Sequence, residues 1–300
     1  MAKLSVVISA YNEEQKIEDC LKSVSFAGEI ILVDNSSTDK TVEIAKKYTS
    51  KIYKRQNNPM LNINKNFGFS KASGDWILCL DADERVMPEL QEEIKEKIGN
   101  SVNGYWIPRK NIIFGKWIEH AGWYPDYQLR LFRKGKGKFP EKHVHEMIEI
   151  EGETKYLKES LFHLNYDSIS QFLHKHINIY SDNEVENLLK NGYVFNYLDA
   201  IRFPLKEFLS RYFAREGYKD RFYGLVLSIF MGFYHFIIFA KLWEKENFKD
   251  NTGSEFINNV EKEFKKSQRE LVYWFLTEKI KATKNVFSKI GLKIRRKIFC

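Results

Sequence analysis

Cysteine is scarce in this chain of 300 residues: Cys20, Cys79 and Cys300 lie far apart, with no CxxC pair. That excludes a zinc ribbon and a disulfide framework, and it points to a reducing compartment. Neither a Walker loop nor a GxGxxG motif is present, so any bound phosphates must be held by metal and by helix ends. No internal repeat and no low-complexity linker interrupts the chain. Met1-Ala2-Lys3 leads straight into a short strand-like run, which reads as the absence of a secretory signal. One long apolar run is found, too few for a polytopic membrane protein. What is present is ordinary in bulk: 43% hydrophobic and 29% charged residues match soluble globular domains and exclude a disordered chain or a collagen-like fibre. At about 150 residues per domain the length predicts two units with a substantial core. A net charge of +8 with 15% aromatics favours anionic partners, meaning nucleotides, nucleic acid or an acidic membrane surface. Charge alone does not choose among them.

The first hundred residues alternate strand and helix signals. Leu4–Ser9, Ile30–Val33 and Trp76–Leu80 are apolar runs of the kind that strands buried on both faces require, with a short strand at Ile52–Lys54. Helices are expected at Glu13–Val24, Thr41–Tyr48, Asn64–Ala72 and Glu89–Ile98, the last opened by Pro88, where a first turn tolerates proline. This order predicts an α/β fold with a mostly parallel sheet flanked by helices. After Asn100, Gly104–Phe114 and Tyr127–Arg133 read as strands, and from about Ser168 the chain reads as helical. The expected division is 1–166 (a half at 1–100 and a second at 101–166), then 167–245, then a basic tail at 246–300.

Three turns carry the chemistry. Ser9-Ala10-Tyr11-Asn12-Glu13-Glu14 ends the first strand and Asp34-Asn35-Ser36-Ser37-Thr38-Asp39 the second. Ligands of parallel sheets bind beyond the carboxyl ends of strands, where both turns lie. Asp34 can accept the imide N–H of a uracil-like base, with Tyr11 stacked on its face. Asp81-Ala82-Asp83 ends another strand, and carboxylates at i and i+2 on a turn can surround a hard divalent cation that binds a diphosphate. Taken singly, each has a bland reading: Asp-x-Asp occurs by chance, Asn12 caps a helix, and Asp34 and Asp39 are turn residues. Their joint order, each closing a buried strand, is the stronger signal.

The strings SVVISAYNEE, ILVDNSSTDKT, NKNFG…ASGDWILCLDADE and GWYPDYQLRLFRK resemble the family 2 glycosyltransferases of GT-A fold, and within them the bacterial lipopolysaccharide core β-1,4-glucosyltransferase subgroup. The resemblance spans about residues 3–245. It implies a nucleotide-sugar donor, UDP-linked, whose base and ribose are lined by Ala10, Tyr11, Glu13 and Asp34. Lys65, Asp81 and Ala82 also contact the donor, Asp83 ligates Mg²⁺ or Mn²⁺, and an inverting single displacement uses one carboxylate as base. Many members carry a Glu-Asp pair before a Leu-x-x-Arg strand; here Pro125-Asp126 replaces it. Asp126 is the expected base and Glu146, in His143-Val144-His145-Glu146, its rival. His143 and His145 fall on one face of an extended segment, so His145 is a candidate further metal ligand or diphosphate contact, or else a structural loop histidine.

The implied acceptor is a cell-envelope glycan such as lipopolysaccharide core, with a polyprenyl phosphate or a protein as alternatives. No nucleic-acid motif accompanies the basic charge, and the sequence sets no oligomeric state. Phe222–Ala240 carries no formal charge and would extend roughly 28 Å as a helix, just short of a bilayer core of about 30 Å. It spans, re-enters or packs as a core helix. With the basic amphipathic stretch Arg202–Gly217 it leads to an expected contact with an anionic inner membrane from its cytoplasmic face, peripheral or singly anchored.

Overall fold

Seven residues from Leu4 to Ala10, all buried, form strand β1. A strand without one solvated face belongs in the middle of a sheet, and β1 lies there. The computed structural model of the chain describes residues 2–58, 60–142, 146–250 and 252–299. In chain order the first unit comprises β1, helix α1 (Ile17–Ser23), β2 (Glu29–Asp34), α2 (Thr41–Ala45), β3 (Ile52–Lys54), α3 (Leu61–Lys71), β4 (Trp76–Asp81), β5 (Glu84–Val86) and α4 (Pro88–Lys97). It continues with β6 (Gly104–Ile107), β7 (Arg109–Ile113), β8 (Lys116–Trp117), β9 (Gln128–Arg133), β10 (Gly137–Lys138), β11 (Glu149–Ile150), β12 (Thr154–Tyr156) and β13 (Leu161–Tyr166).

Among the described residues the main sheet runs β12-β6-β9-β4-β1-β2-β3. β1 is parallel to β2 and β4, and β2 to β3, whereas β9 is antiparallel to β4 and β6. The result is the mostly parallel α/β sheet flanked by helices that the sequence predicts, with β9 as an antiparallel insertion that it does not. Alternation along β1 sends Leu4, Val6 and Ile8 to a core shared with Ile17 and Leu21 of α1 and Leu90 and Ile94 of α4. Val7 faces a second core with Phe69, Ile77 and Phe132. Each such fully buried side chain contributes about 1.5–3 kcal/mol.

Gly104–Phe114 is not one strand. Pro108, which has no N–H to donate, separates β6 from β7, and β7 joins a second sheet of order β5-β13-β7-β8. There β13 runs antiparallel to β5, setting His163 opposite Glu84.

The second unit comprises Ile118–Trp123 and the chain from Tyr166 onward. Its helices are α5 (Ile169–Lys175), α6 (Ser181–Lys190), α7 (Asp199–Leu209), α8 (Arg221–Lys245), α9 (Phe256–Ala282) and α10 (Val286–Phe299). α5 starts where expected because Ser168 Oγ accepts from Gln171 N–H at 3.1 Å while Gln171 accepts from Asp167 N–H at 2.8 Å, satisfying otherwise orphaned first-turn donors. α7 continues into a π-helical turn at Ser210–Ala214. Residues 118–123 count with the helices: His120 N–H donates to Asp220 at 2.8 Å, and Ala121 is gripped at both its N–H and its carbonyl by Arg215 and Arg211.

α8 contains the long apolar run. Gly224 meets the carbonyl of Gly217 so closely that a Cβ there would sit 1.7 Å from it, and Leu227, Ser228, Met231, Ile238 and Leu242 are buried. The helix is therefore half core, with its other face exposing Phe222, Ile229 and Phe233.

Candidate active site

The register of the main sheet brings three of the predicted turns together. Ala10 pairs with Asp34 across β1 and β2, and Ser9 pairs with Asp81 across β1 and β4. The carboxyl ends of neighbouring strands thus carry the three acidic turns side by side. The first two are laced to each other. Asn12 N–H donates to Ser37 Oγ at 3.0 Å, Asn12 Oδ1 accepts from Thr38 N–H at 2.8 Å, and Glu13 N–H donates to Thr41 Oγ1 at 2.8 Å. Asn12 therefore bridges two turns instead of capping a helix, and it does so at a positive φ of 54°, with Ser36 at 64°. Non-glycine residues are held there only when surrounding contacts compensate for the strain.

Asp34 is almost fully buried, its Oδ1 accepting from Ser37 N–H at 3.1 Å. It borders a cavity of about 600 Å³ with Ser37, Val42, Lys46, Thr49, Ser50, Ile52 and Lys54. Tyr11 is 43% exposed, with its ring open to a stacking partner. Neither Tyr11 nor Lys65 lines that cavity.

Lys65 is brought to the site by α3. A Cβ on Gly68 would stand 2.5 Å from Val7 and 2.9 Å from Val33, so only glycine lets this helix lie directly on the sheet. Beneath it Asn64 donates to Asn35 at 2.6 Å, and Asn35 donates to Ser9 at 2.9 Å. Lys65 then reaches Asp81 Oδ1 at 2.5 Å. Ala82 is buried in the turn, its carbonyl accepting from Arg85 at 2.7 Å.

From Asp81 a chain of alternating charge runs to Asp126. Arg130 of β9 donates to Asp81 Oδ2 at 2.6 Å and to Glu84 Oε1 at 2.9 Å. Arg109 of β7 lies 3.4 Å from the same Glu84 oxygen and 2.5 Å from Asp126 Oδ2. Glu84 is completely buried, and its second oxygen accepts from Asp81 N–H at 2.9 Å. A second route starts at Asp83. His163 Nε2 lies 3.5 Å from Asp83 Oδ2, its Nδ1 is 2.7 Å from Asn111 Oδ1, and Asn111 Nδ2 donates to Asp126 at 3.2 Å. Both carboxylates of the Asp-Ala-Asp turn are thus joined to Asp126 through side chains.

Electrostatics follow from this wiring. Burial opposes ionisation of Asp81, but Lys65 and Arg130 outweigh it and hold the carboxyl far below its ordinary range. Burial likewise opposes ionisation of Asp126, and again loses: Arg109, Asn111 and Gln128 keep it below the usual carboxylate value. Its side chain remains 27% exposed, open to an incoming group. Glu146 is engaged differently. It accepts from Glu141 N–H at 2.8 Å, from Lys142 N–H and from Asn62 of α3 at 3.3 Å, tying its loop to that helix. His145 and its neighbour His143 lie outside the described residues.

The described residues contain no cluster of three His, Cys, Asp or Glu side chains that could enclose a cation. Asp83 with His163 still suits Mg²⁺ or Mn²⁺, because such ions keep several waters and bind through one or two protein groups plus substrate phosphates. With Nδ1 hydrogen-bonded to Asn111, His163 has its other nitrogen on the carboxylate side. Sequence reasoning missed Glu84, Arg109, Asn111, Arg130 and His163. Glu84 and Arg130 stand inside the quoted strings, but nothing in a string says that they are buried, and burial is what forces charges to pair.

A mixed sheet whose central parallel strands end in acidic turns, one of them Asp-Ala-Asp, defines a glycosyltransferase of GT-A type. The chain belongs to glycosyl transferase family 2, whose family model matches residues 5–149. It is 30% identical over 260 residues to the uncharacterized glycosyltransferase RT0209 of Rickettsia typhi, covering 81% of this chain and 88% of that protein. It is 26% identical to the lipopolysaccharide core biosynthesis glycosyltransferase LpsC of Rhizobium meliloti, covering 82% and 94%. Among solved structures, TarS of S. aureus in complex with UDP-GlcNAc aligns at 14% identity and TM-score 0.43 over 82% of this chain and 91% of that one.

Proposed function

We propose that the protein is an inverting hexosyltransferase that moves a sugar from a UDP-linked donor to a cell-envelope glycan of the lipopolysaccharide core type. One observation carries this reading: Asp34 ends β2 and Asp81, with Asp83 just beyond it, ends β4, the two parallel strands that flank β1, and Asp126 is wired to Asp81 and Asp83. Membership of family 2, and the name borne by LpsC, support the acceptor class. Cys20 and Cys79, buried thiols outside any disulfide, agree with a cytoplasmic location.

In this reading Asp34 accepts the imide N–H of the base while Tyr11 stacks on its face, and Ala10 and Glu13 border the ribose. Asp81, immobilised by Lys65 and Arg130, accepts from donor hydroxyls. Asp83 and His163 hold a divalent cation, which when bound supplies positive charge to the diphosphate leaving group. The acceptor oxygen attacks the anomeric carbon from the face opposite the diphosphate, and Asp126 takes the hydroxyl proton as that bond forms and the bond to the diphosphate breaks. A carboxylate held below its ordinary pKa is ionised at neutral pH, as a proton acceptor must be. It is also weakly basic, so the proton transfers late, once bonding has made the hydroxyl acidic.

The test is a donor screen. Purified protein is melted with UDP-, GDP- and dTDP-sugars in the presence of Mn²⁺, since a ligand of the folded state raises its stability. A UDP-sugar should raise the melting temperature, and chelation or Asp83→Ala should remove the effect while the variant stays folded. No stabilisation by any nucleotide sugar with metal present overturns the proposal.

A further inference from the structure

The sequence places the membrane contact on Phe222–Ala240 and on the basic stretch Arg202–Gly217. Within the second unit both are partly engaged, although Lys206 and Arg215 of the basic stretch stay exposed. α8 turns half of its surface into the core. Of the basic residues near α7, Arg202 pairs with Glu263 at 2.7 Å, and Arg211 pairs with Glu207 at 2.5 Å and donates to Ala121 at 2.9 Å. Charges neutralised in this way contribute little to attraction by a distant surface.

α10 differs on each count. Asn285 caps it by accepting from Ser288 N–H at 3.0 Å, and none of its residues is buried. Val286, Phe287, Ile290, Ile294 and Ile298 are 66%, 85%, 49%, 56% and 71% exposed. At about 100° per residue these five fall within an arc of roughly 120°. Lys293 lies just outside one edge of the arc, Lys297 just inside that edge, and Arg295 beyond the other. No ion pair involves Lys284, Lys289, Lys293, Arg295, Arg296 or Lys297 among the described residues, and no acidic residue follows Glu278 in the sequence. The opposite side of α10 faces its neighbour, with Arg296 donating to Thr277 of α9 at 3.0 Å and lying over Tyr273. One face is thus anchored, and the other presents an apolar ridge with unneutralised cations on its margins.

We infer that α10 is an interfacial helix that docks the protein on an anionic lipid surface, its isoleucine ridge entering the acyl boundary and its lysines and arginines meeting the headgroups. The charge selects the occupant. An apolar protein partner would need an acidic rim to match, whereas an acidic bilayer supplies hydrocarbon and negative charge in this geometry. The inference is independent of glycosyl transfer, since it is read by binding and not by turnover.

The experiment is flotation of the full-length protein with vesicles of phosphatidylcholine alone or containing about 30% phosphatidylglycerol. The wild type should float with the anionic vesicles and sediment with the neutral ones, and salt well above physiological strength should weaken binding. Lys293→Gln with Lys297→Gln should weaken it about 25-fold, at roughly fivefold per charge. Ile290→Asp with Ile294→Asp should abolish flotation. Both positions are solvent-exposed, so circular dichroism and melting should match wild type. Phe222→Ser, on the exposed face of α8, should float normally. Equal flotation with neutral vesicles, flotation of the Ile290→Asp/Ile294→Asp variant, or loss in Phe222→Ser overturns the proposal. So does a lipid-free dimer that the Ile290→Asp/Ile294→Asp variant dissolves, which would make the ridge a surface for a second copy.

Discussion

The two units bury different chemistry. In the first, six side chains of alternating sign run from Lys65 through Asp81, Arg130, Glu84 and Arg109 to Asp126. In the second, the interior is rich in aromatics: His176 stacks on Phe172 at 4.0 Å with Tyr234 edge-on at 4.9 Å, and Phe213 stacks on Trp274 at 5.8 Å. A buried charge chain adds little net stability, because desolvation offsets most of the attraction, but it fixes each carboxylate in position. That is the property a charge-separating reaction requires. Aromatic packing adds stability without fixing charge, and it leaves the surface of the helical unit available for other contacts.

The comparison is broken most severely at Asp126. Asp126→Asn keeps shape and donor binding but cannot accept a proton, and should slow transfer about 10²–10⁴-fold at unchanged donor Kd. Because burial is outweighed by Arg109, Asn111 and Gln128 and the wild-type carboxyl is held below its ordinary value, the acidic limb of the rate profile should lie below the range of an ordinary aspartate. A variant within about threefold of wild type moves the role to Glu146, and Glu146→Gln then becomes the slow variant. If neither is slow, the acceptor arrives already deprotonated, as a phosphate does.

Removing the hub tests the charge chain as structure. Glu84→Ala strips a buried carboxylate from two arginines and should cost about 3–5 kcal/mol, seen as a lowered denaturant midpoint at constant slope. Glu84→Gln, which keeps a hydrogen-bonding oxygen, should cost less. Equal midpoints for wild type and Glu84→Ala would show that the chain is decorative.

Acid should separate the units. In the first, burial opposes ionisation of Glu29, but Lys51, Ser5 and Ser73 outweigh it and lower its pKa to about 2. Its folded pKa is depressed, so this stability is complete above the ordinary value of about 4.3 and is lost as pH falls toward 2, about 3 kcal/mol in all. In the second, burial lowers His176 to about 4. Above about pH 6.5 it is neutral folded or unfolded; between there and pH 4 only the unfolded chain takes up the proton, so stability falls by about 3 kcal/mol and then levels. Hydrogen exchange followed by peptide should therefore show the helices loosening first on acidification. His176→Phe should flatten that slope, and an unchanged slope would refute the assignment.

The smallest effect is expected at the donor base. Asp34→Ala removes a hydrogen bond to a charged acceptor, about 1.5–3 kcal/mol or roughly ten- to a hundredfold in donor Kd, with kcat at saturation less affected. An unchanged Kd places the base elsewhere than beside the cavity that Asp34 borders.

The strands and helices of the first hundred residues were legible because their signals are local. An all-apolar run such as Leu4–Ala10 has few alternatives to a central strand, and Ser168 with Gln171 starts a helix by hydrogen bonds within four residues. The acidic turns were legible for the same reason: a strand end followed by Asp or Asn is a contiguous pattern. Gly104–Phe114 was misread as one strand because the two sides of Pro108 pair with partners elsewhere in the chain, β9 on one side and β8 on the other.

By itself the sequence determined the family, the strands and helices of the mostly parallel half of the sheet and the three carboxylate turns, all of which rest on neighbours in the chain. Only the tertiary structure decided which charges meet. Glu84 and Arg130 are 46 residues apart, and Asp83 and His163 are joined by the antiparallel register of β5 and β13. It also decided that α8 turns half of itself into the core while the apolar arc of α10 is left uncovered. Periodicity reports that a helix has an apolar face, but whether that face is buried depends on packing partners distant in sequence, and no local pattern encodes them.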